Sequence, residues 1–261
     1  MSNILDEIVE YKREFVKISK NKMPLRELEQ LAAEKKPTKD FTGALKVRKC
    51  ALIAEIKTAS PSKGVIRNDV DFLDVTKIYE QNGAACISAL TDEKYFMGSL
   101  NRLSMISAIS SLPLMRKDFI IDVYQIFEAR VHGADAILLI ASCLENEELR
   151  DFIEVSELLG LDCLLEVHNV DEIQRVSGLN VKMMGINNRD LKTFKTDIST
   201  TGRLAGFVPE GIIIVSESGI NFSDDVINVY NMGAKAVLVG EAIMREKDMA
   251  LKVRELSGAV K

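Results

Sequence analysis

Two charges stand where an apolar strand should end. The run Ala51–Ile56, "ALIAEI", carries Glu55, and Lys57 follows two residues later. Side chains alternate faces along a strand, so Glu55 and Lys57 share one face. Desolvating a carboxylate and an ammonium costs several kcal/mol per ion unless the two pair or are put to use. Other apolar runs also finish in polar residues. Arg116, Lys117 and Asp118 follow "LPLM", Glu166 lies near the end of "LDCLLEV", and Asn187 and Arg189 follow "KMMGI". Glu217 and Ser218 close "GIIIVSES", and Gly240 and Glu241 close "AVLVGE". If these ends meet, Glu55, Lys57, Lys117, Glu166 and Asn187 share one cup. Such a ring of lysines and glutamates at low dielectric drives pKa values apart, leaving an acid and a base near neutrality. That is acid–base chemistry without a metal.

A second signal suits an anion. "SESGI" (216–220) and "LVGEAIMR" (238–245) each place a glycine where backbone N–H groups can face a phosphate. The second also opens a helix, whose positive end adds to the attraction.

Composition narrows the classes. Of 261 residues, 47% are apolar and 28% charged, as expected of a soluble globular protein. A net charge of −5 gives no global attraction to nucleic acid or an anionic membrane, so a small phosphorylated substrate must be met by local basic groups. Cys50, Cys86, Cys143 and Cys163 are scattered without a C-x-x-C, as reduced thiols in a cytoplasmic protein would be. With His132 and His168 the sole histidines, neither a zinc site nor a Ser-His-Asp triad is expected. The N-terminus reads as an amphipathic run rather than a signal peptide, and no apolar stretch is long enough to span a bilayer.

The elements that must position these residues repeat. Residues 4–19 place Ile4, Ile8, Tyr11 and Phe15 on one helical stripe, and "MPLRELEQLAAE" predicts a second helix with Pro24 at its start. "KKPTKDFTGALK" (35–46) reads as a loop. Apolar strands are then predicted at 51–56, 85–90, 112–119, 136–142, 161–167, 182–187, 211–218 and 236–242. Amphipathic helical sequence fills most gaps, and three of these helices end in glycine just before the next strand. Eight strands with no half-exposed alternation, each followed by a helix, predict an α/β fold: a (β/α)8 TIM barrel. Residues 1–50 form a helical N-terminal extension and 51–261 the barrel, within one domain. A doubly wound sheet would call for G-x-G-x-x-G after the first strand, and that motif is absent. In a barrel the active site lies at the C-terminal strand ends, and the loops after strands seven and eight recurrently bind phosphate.

Several polar residues have simpler explanations. Asp118 and Asp190 lie one step out of phase with Lys117 and Arg189 and are assigned to local backbone or a neighbouring arginine. Glu241 complements a helix dipole. His168 is read as a loop residue and His132 as a helix-surface residue, neither catalytic. Strands two and four end blandly.

With these residues in view, the sequence resembles the indole-3-glycerol phosphate synthase family of tryptophan biosynthesis. The first strand has the family's E-x-K-x-x-S-P-S form from Glu55 through Ser62. "ALTDEKYFMGSL", "RKDFIIDVYQIFEAR", "GADAILLI", "LLEVHN", "GINNRDLKTF", "SESGI" and "LVGEAIMR" follow in the family's order across nearly the whole chain. The resemblance implies ring closure, decarboxylation and dehydration of 1-(2-carboxyphenylamino)-1-deoxyribulose 5-phosphate, with no cofactor. It makes Lys117 the acid of ring closure and Glu166 the base. Lys57 would meet the substrate carboxylate and also assist dehydration. How Lys57, Lys117 and Glu166 divide the steps stays open. Glu55 would hold the lysines charged and placed, Asn187 would hydrogen-bond near the reacting centre, and Ser218 would orient substrate. Ser60 and Arg189 would bind polar end groups, with Glu217 beside them in the substrate site. Gly219, Gly240 and Glu241 would hold the phosphate through their backbone. Phe96, Phe119, Leu138 and Leu191 would wall the anthranilate ring. A monomer, or a weak homodimer, is expected.

Two positions depart from the family: Thr58 stands where a basic residue is more usual, and Met115 where a smaller aliphatic is. A Schiff-base aldolase using Lys117 or Lys57 is the rival enzyme. A scaffold that has lost activity would have shed the charged ring, which is present here. The neighbouring phosphoribosylanthranilate isomerase would need a cysteine base on strand one, where Glu55 and Lys57 stand instead.

Overall fold

The computed structural model describes residues 4–61, 64–67, 69–190 and 193–260. Eight parallel strands close into a barrel: β1 (Ala51–Ile56), β2 (Cys86–Leu90), β3 (Leu114–Lys117), β4 (Ala136–Ile140), β5 (Asp162–Val167), β6 (Met183–Asn187), β7 (Ile213–Glu217) and β8 (Ala236–Val239). β1 pairs with both β2 and β8, which completes the circle.

Strand alternation sorts the residues into two cores. Leu52, Ala54 and Ile56 of β1 pack outward under the helices. Ala51 and Ile53 point inward, with Cys86, Met115, Leu138, Leu164, Met183, Val215 and Leu238 from the other strands. Continued upward, the inward set of β1 becomes Glu55 and Lys57. The interior is therefore apolar at its base and charged at its mouth, as alternation at period two requires. Register keeps the charged positions level, with Asn187 opposite Glu217, Glu166 opposite Gly185, and Leu90 opposite Lys117.

Helices α1 (Ile4–Lys22) and α2 (Leu25–Ala33) precede the barrel. The stretch 35–46 is not wholly the expected loop. Phe41–Lys46 forms a short helix, α3, whose N-cap Asp40 accepts a hydrogen bond from the Gly43 N–H at 2.7 Å. Phe41 and Leu45, one turn apart, are buried in the inner cluster and floor the barrel. Burial of that pair outweighs the local turn signals. The three glycine stops stand as expected, Gly83, Gly133 and Gly160 each following a helix with positive φ.

Candidate active site

At the C-terminal mouth lies a cavity of about 570 Å³. Its lining includes Glu55, Lys57, Ser60, Phe96, Lys117, Phe119, Leu138, Glu166, Asn187, Arg189, Glu217, Ser218, Gly219, Gly240 and Glu241, with Ile4, Leu5 and Ile8 of α1 over the rim. The predicted site residues thus converge on one space. Leu191 and Ser62 lie outside the described residues.

Lys117 is the hub. Its Nζ lies 2.8 Å from Glu217 Oε2 and 3.1 Å from Glu166 Oε2. Burial favours the neutral amine, but the charges of Glu217, Glu166 and Glu55 outweigh it and hold Lys117 protonated well above its usual range. The two glutamates separate in opposite directions. For Glu166, burial is overcome by the Lys117 charge, by the contact with His168 and by the Asn187 amide at 3.0 Å, so its carboxyl sits well below the usual range. For Glu217, burial wins: with Glu166 adding repulsion against the pull of Lys117, it is pushed up to about 7. The two carboxyl groups are therefore distinguished by environment, and Glu217 joins the charged ring through Lys117.

Lys57 Nζ lies 3.3 Å from Glu55 Oε2 and 5.6 Å from the centre of the Phe96 ring. Phe96 and Phe119 face each other tilted, with ring centres 6.1 Å apart. Ser60 Oγ is buried without a hydrogen-bond partner among the described residues, at the wall of the cavity. Asn187 Oδ1 accepts from the Arg189 N–H at 3.0 Å, which fixes the amide that faces Glu166.

Two glycines make room for the carboxylates. A Cβ at Gly185 would run into Glu217 Oε1, and one at Gly240 into Glu55 Oε2. Gly240 was expected only at the phosphate, and it also seats Glu55. Gly219 has φ +84°, and Ser218 before it has φ +68°, a conformation that costs a side-chain-bearing residue about 1–3 kcal/mol. Asn188 supports that turn: its Nδ2 donates to the Ser218 carbonyl at 3.0 Å and to Ser216 Oγ at 2.9 Å.

One expectation needs correction. Strand β2 does not end blandly, because Thr91 and Asp92 follow it, both buried. Asp92 Oδ1 accepts from the Tyr95 and Phe96 N–H groups, and Asp92 Oδ2 pairs with Lys12 of α1 at 2.9 Å. Lys12 also meets Asp118 at 2.6 Å, and Asp118 binds Arg116 at 3.1 Å, so the expected arginine contact is joined by a lysine from α1. Nothing in the local sequence linked residue 12 to residues 92 and 118. His168 is the loop residue expected, immediately after β5, and its Nε2 lies 3.2 Å from Glu166 Oε1. Its nearness in sequence to Glu166, one residue past the end of β5, was the available signal. Thr58, where the family more often has a basic residue, accepts at its Oγ1 from Arg102 Nη1 at 3.4 Å. His132 caps the helix Val123–Val131, with Nδ1 2.7 Å from Ser104 Oγ, and burial pushes it down to about 4.

Comparison with known proteins gives the same picture from another direction. The family model described as indole-3-glycerol phosphate synthase matches residues 5–256. The indole-3-glycerol phosphate synthase of Dehalococcoides mccartyi strain CBDB1 is 46% identical over 257 residues, covering 97% of this chain and 99% of the relative. That of Polaromonas naphthalenivorans is 44% identical over 262 residues, covering 99% and 100%. Among solved structures, 3-hexulose-6-phosphate synthase from Salmonella typhimurium superposes with a TM-score of 0.65 at 14% identity, covering 80% of this chain and 98% of that one. N-(5'-phosphoribosyl)anthranilate isomerase from Pyrococcus furiosus superposes with a TM-score of 0.58, also at 14% identity, with coverage of 80% and 98%. These two likenesses speak to the barrel alone.

Proposed function

The chain belongs to the indole-3-glycerol phosphate synthase family, and from that premise we propose which of its residues carry each step. It catalyses the family's reaction in tryptophan biosynthesis: 1-(2-carboxyphenylamino)-1-deoxyribulose 5-phosphate is converted to indole-3-glycerol phosphate, carbon dioxide and water. The observation that carries the assignment of roles is Lys117 held between Glu166 and Glu217, beside the aromatic wall of Phe96 and Phe119.

The phosphate is received by backbone at Gly219, Gly240 and Glu241. The anthranilate ring lies against Phe96, Phe119 and Leu138, and Lys57 meets its carboxylate. Ser60 and Arg189 bind the polar end groups, and Ser218 and Asn187 orient the reacting atoms. Ring closure joins the carboxylate-bearing ring carbon to the ribulose carbonyl carbon. Negative charge grows on the carbonyl oxygen, an alkoxide far more basic than an amine, so even a firmly protonated Lys117 gives up its proton. The aryl nitrogen becomes iminium-like and accepts the electron pair that the departing carbon dioxide leaves, which restores aromaticity. Dehydration then needs acid at the hydroxyl and base at the neighbouring methylene. Lys57 serves the first and Glu166 the second, while Glu217, whose carboxyl is raised by burial, returns a proton to Lys117. Glu55 holds Lys57 in place.

We also assign the chain one domain, a monomeric state and a place in the cytoplasm. Among the described residues no helix is long and apolar enough to cross a membrane, and all four cysteines are free. Sedimentation at micromolar concentration tests the monomer, with a weak homodimer as the contrary result. The activity is tested by mixing the purified chain with its substrate and quantifying product and carbon dioxide. Equal amounts of both are expected, and neither appearing would overturn the reading.

A further inference from the structure

Glu166 is held from three sides, and only two of them belong to the cavity wall. Lys117 meets Oε2 at 3.1 Å and the Asn187 amide donates to Oε1 at 3.0 Å. The third partner, His168, does not line the cavity. It lies behind the carboxylate, in the loop just after β5, with Nε2 3.2 Å from Oε1.

The other side of the imidazole is fixed as well. His168 Nδ1 lies 3.3 Å from Glu172 Oε2, an oxygen that also accepts the His168 backbone N–H at 2.8 Å. Glu172 belongs to the first turn of the helix Val170–Val176, and its Oε1 accepts from the Asn169 amide at 2.8 Å. Asn169 caps that helix by accepting the Glu172 N–H, also at 2.8 Å. The carboxylate behind the ring is thus tied to backbone and cap and cannot swing away without breaking both.

An imidazole with a carboxylate at each nitrogen is favoured in its doubly protonated form: Nδ1 hydrogen-bonds Glu172, and Nε2 meets Glu166 as a close charge contact rather than an aligned hydrogen bond. We propose that His168 is a positioning residue for the reaction: as an imidazolium clamped by Glu172, it aims the Glu166 carboxylate at the substrate and balances its charge from behind. This rests on the reading of Glu166 as the base.

The electrostatics agree with the geometry. Burial opposes charge on His168, but the contacts with Glu166 and Glu172 outweigh it and lift the ring to about 10. Glu172 is drawn below its usual range, with burial overcome by His168 and by its backbone bonds. The groups facing Glu166 from other strands are Lys117, Asn187 and Glu217, and Glu55 acts in turn on Lys117 and Glu217. Beyond β4 the Cys143 thiol, near Glu166, Glu172 and Asp6, is pushed up to about 12 by burial first and stays neutral. His168 is therefore the one cation that meets Glu166 from outside the cavity among the described residues.

The test is the pH dependence of kcat/KM for His168→Gln, which keeps a hydrogen-bonding amide and removes the charge. The acid limb should move up by about one unit, since one adjacent opposite charge shifts a carboxylate by roughly that much or more. At neutral pH kcat should fall about tenfold, part of the 10²–10⁴ that a placed base supplies, with KM nearly unchanged. A purely structural role would lower every point in parallel and leave the limb in place; that result overturns the inference. Should the variant not fold, Glu172→Gln serves. It leaves the imidazolium with one partner, so a new alkaline limb is expected where the ring loses its proton, and none appearing is equally fatal. Glu166→Gln separates the two levels. Full turnover there overturns the base assignment itself, whereas lost turnover with an unmoved His168→Gln limb overturns only the role of His168.

Discussion

The Lys117 ammonium lies 2.8 Å from the Glu217 carboxylate, at the level where the barrel interior changes from apolar to charged. A Cβ on Gly185 would occupy the place of the other Glu217 oxygen. The ion pair therefore depends on a residue with no side chain. Gly185→Ala should displace the Glu217 carboxylate and lower kcat tenfold or more, with little change in melting temperature because the displaced atom ends a side chain. Steady-state kinetics beside a thermal melt decides it. Unchanged kcat would show that Glu217 needs no fixed seat.

Lys12 joins the N-terminal helix to both aromatic-bearing loops through Asp92 and Asp118, all three nearly inaccessible. Removing one partner of a buried ion pair leaves an uncompensated charge, at a cost of about 3–5 kcal/mol. Lys12→Met should lower the unfolding free energy by that amount in urea titrations. A loss under about 1 kcal/mol would mean that water reaches the two aspartates.

His168 gives a pH signature to stability. Its ring is lifted to about 10 in the folded chain from an unfolded value of 6.5. A raised histidine stabilises fully below the unfolded value, and that contribution is lost as pH rises from 6.5 through 10. Unfolding free energy of the parent should fall across this window by an amount on the order of a few kcal/mol. The profile of His168→Gln should be flatter there, and identical slopes would contradict the clamp.

Much of this arrangement was legible before any coordinates. Strand alternation and strand-end polarity placed Glu55, Lys57, Lys117, Glu166 and Asn187 in one mouth, because in a closed parallel barrel those two features leave few alternatives. What stayed hidden depended on contacts distant in sequence. Lys12 reads as one more charge on an amphipathic helix until α1 is docked. Thr91 and Asp92 look like turn residues until their partners arrive from α1 and β3. Gly185 reads as a small residue in a strand until Glu217 from the next strand is seen above it. Phe41 and Leu45 had helical spacing, but the surrounding Lys, Pro, Thr and Asp made a loop the stronger local reading. The resemblance to a family suggested the roles, and the contacts of Glu166 with Asn187 and His168 are what set it apart from Glu217.

The central claim is that Lys117 delivers the proton that lets the ring close. Its most direct test follows indole fluorescence after mixing substrate with the parent chain and with Lys117→Met, whose fold is checked by circular dichroism. The parent should generate the indole signal, and the folded variant should lose at least about 10²–10⁴-fold in rate, the range supplied by a positioned acid. A folded Lys117→Met chain that forms indole within a few-fold of the parent rate would contradict the account and move the acid to another residue.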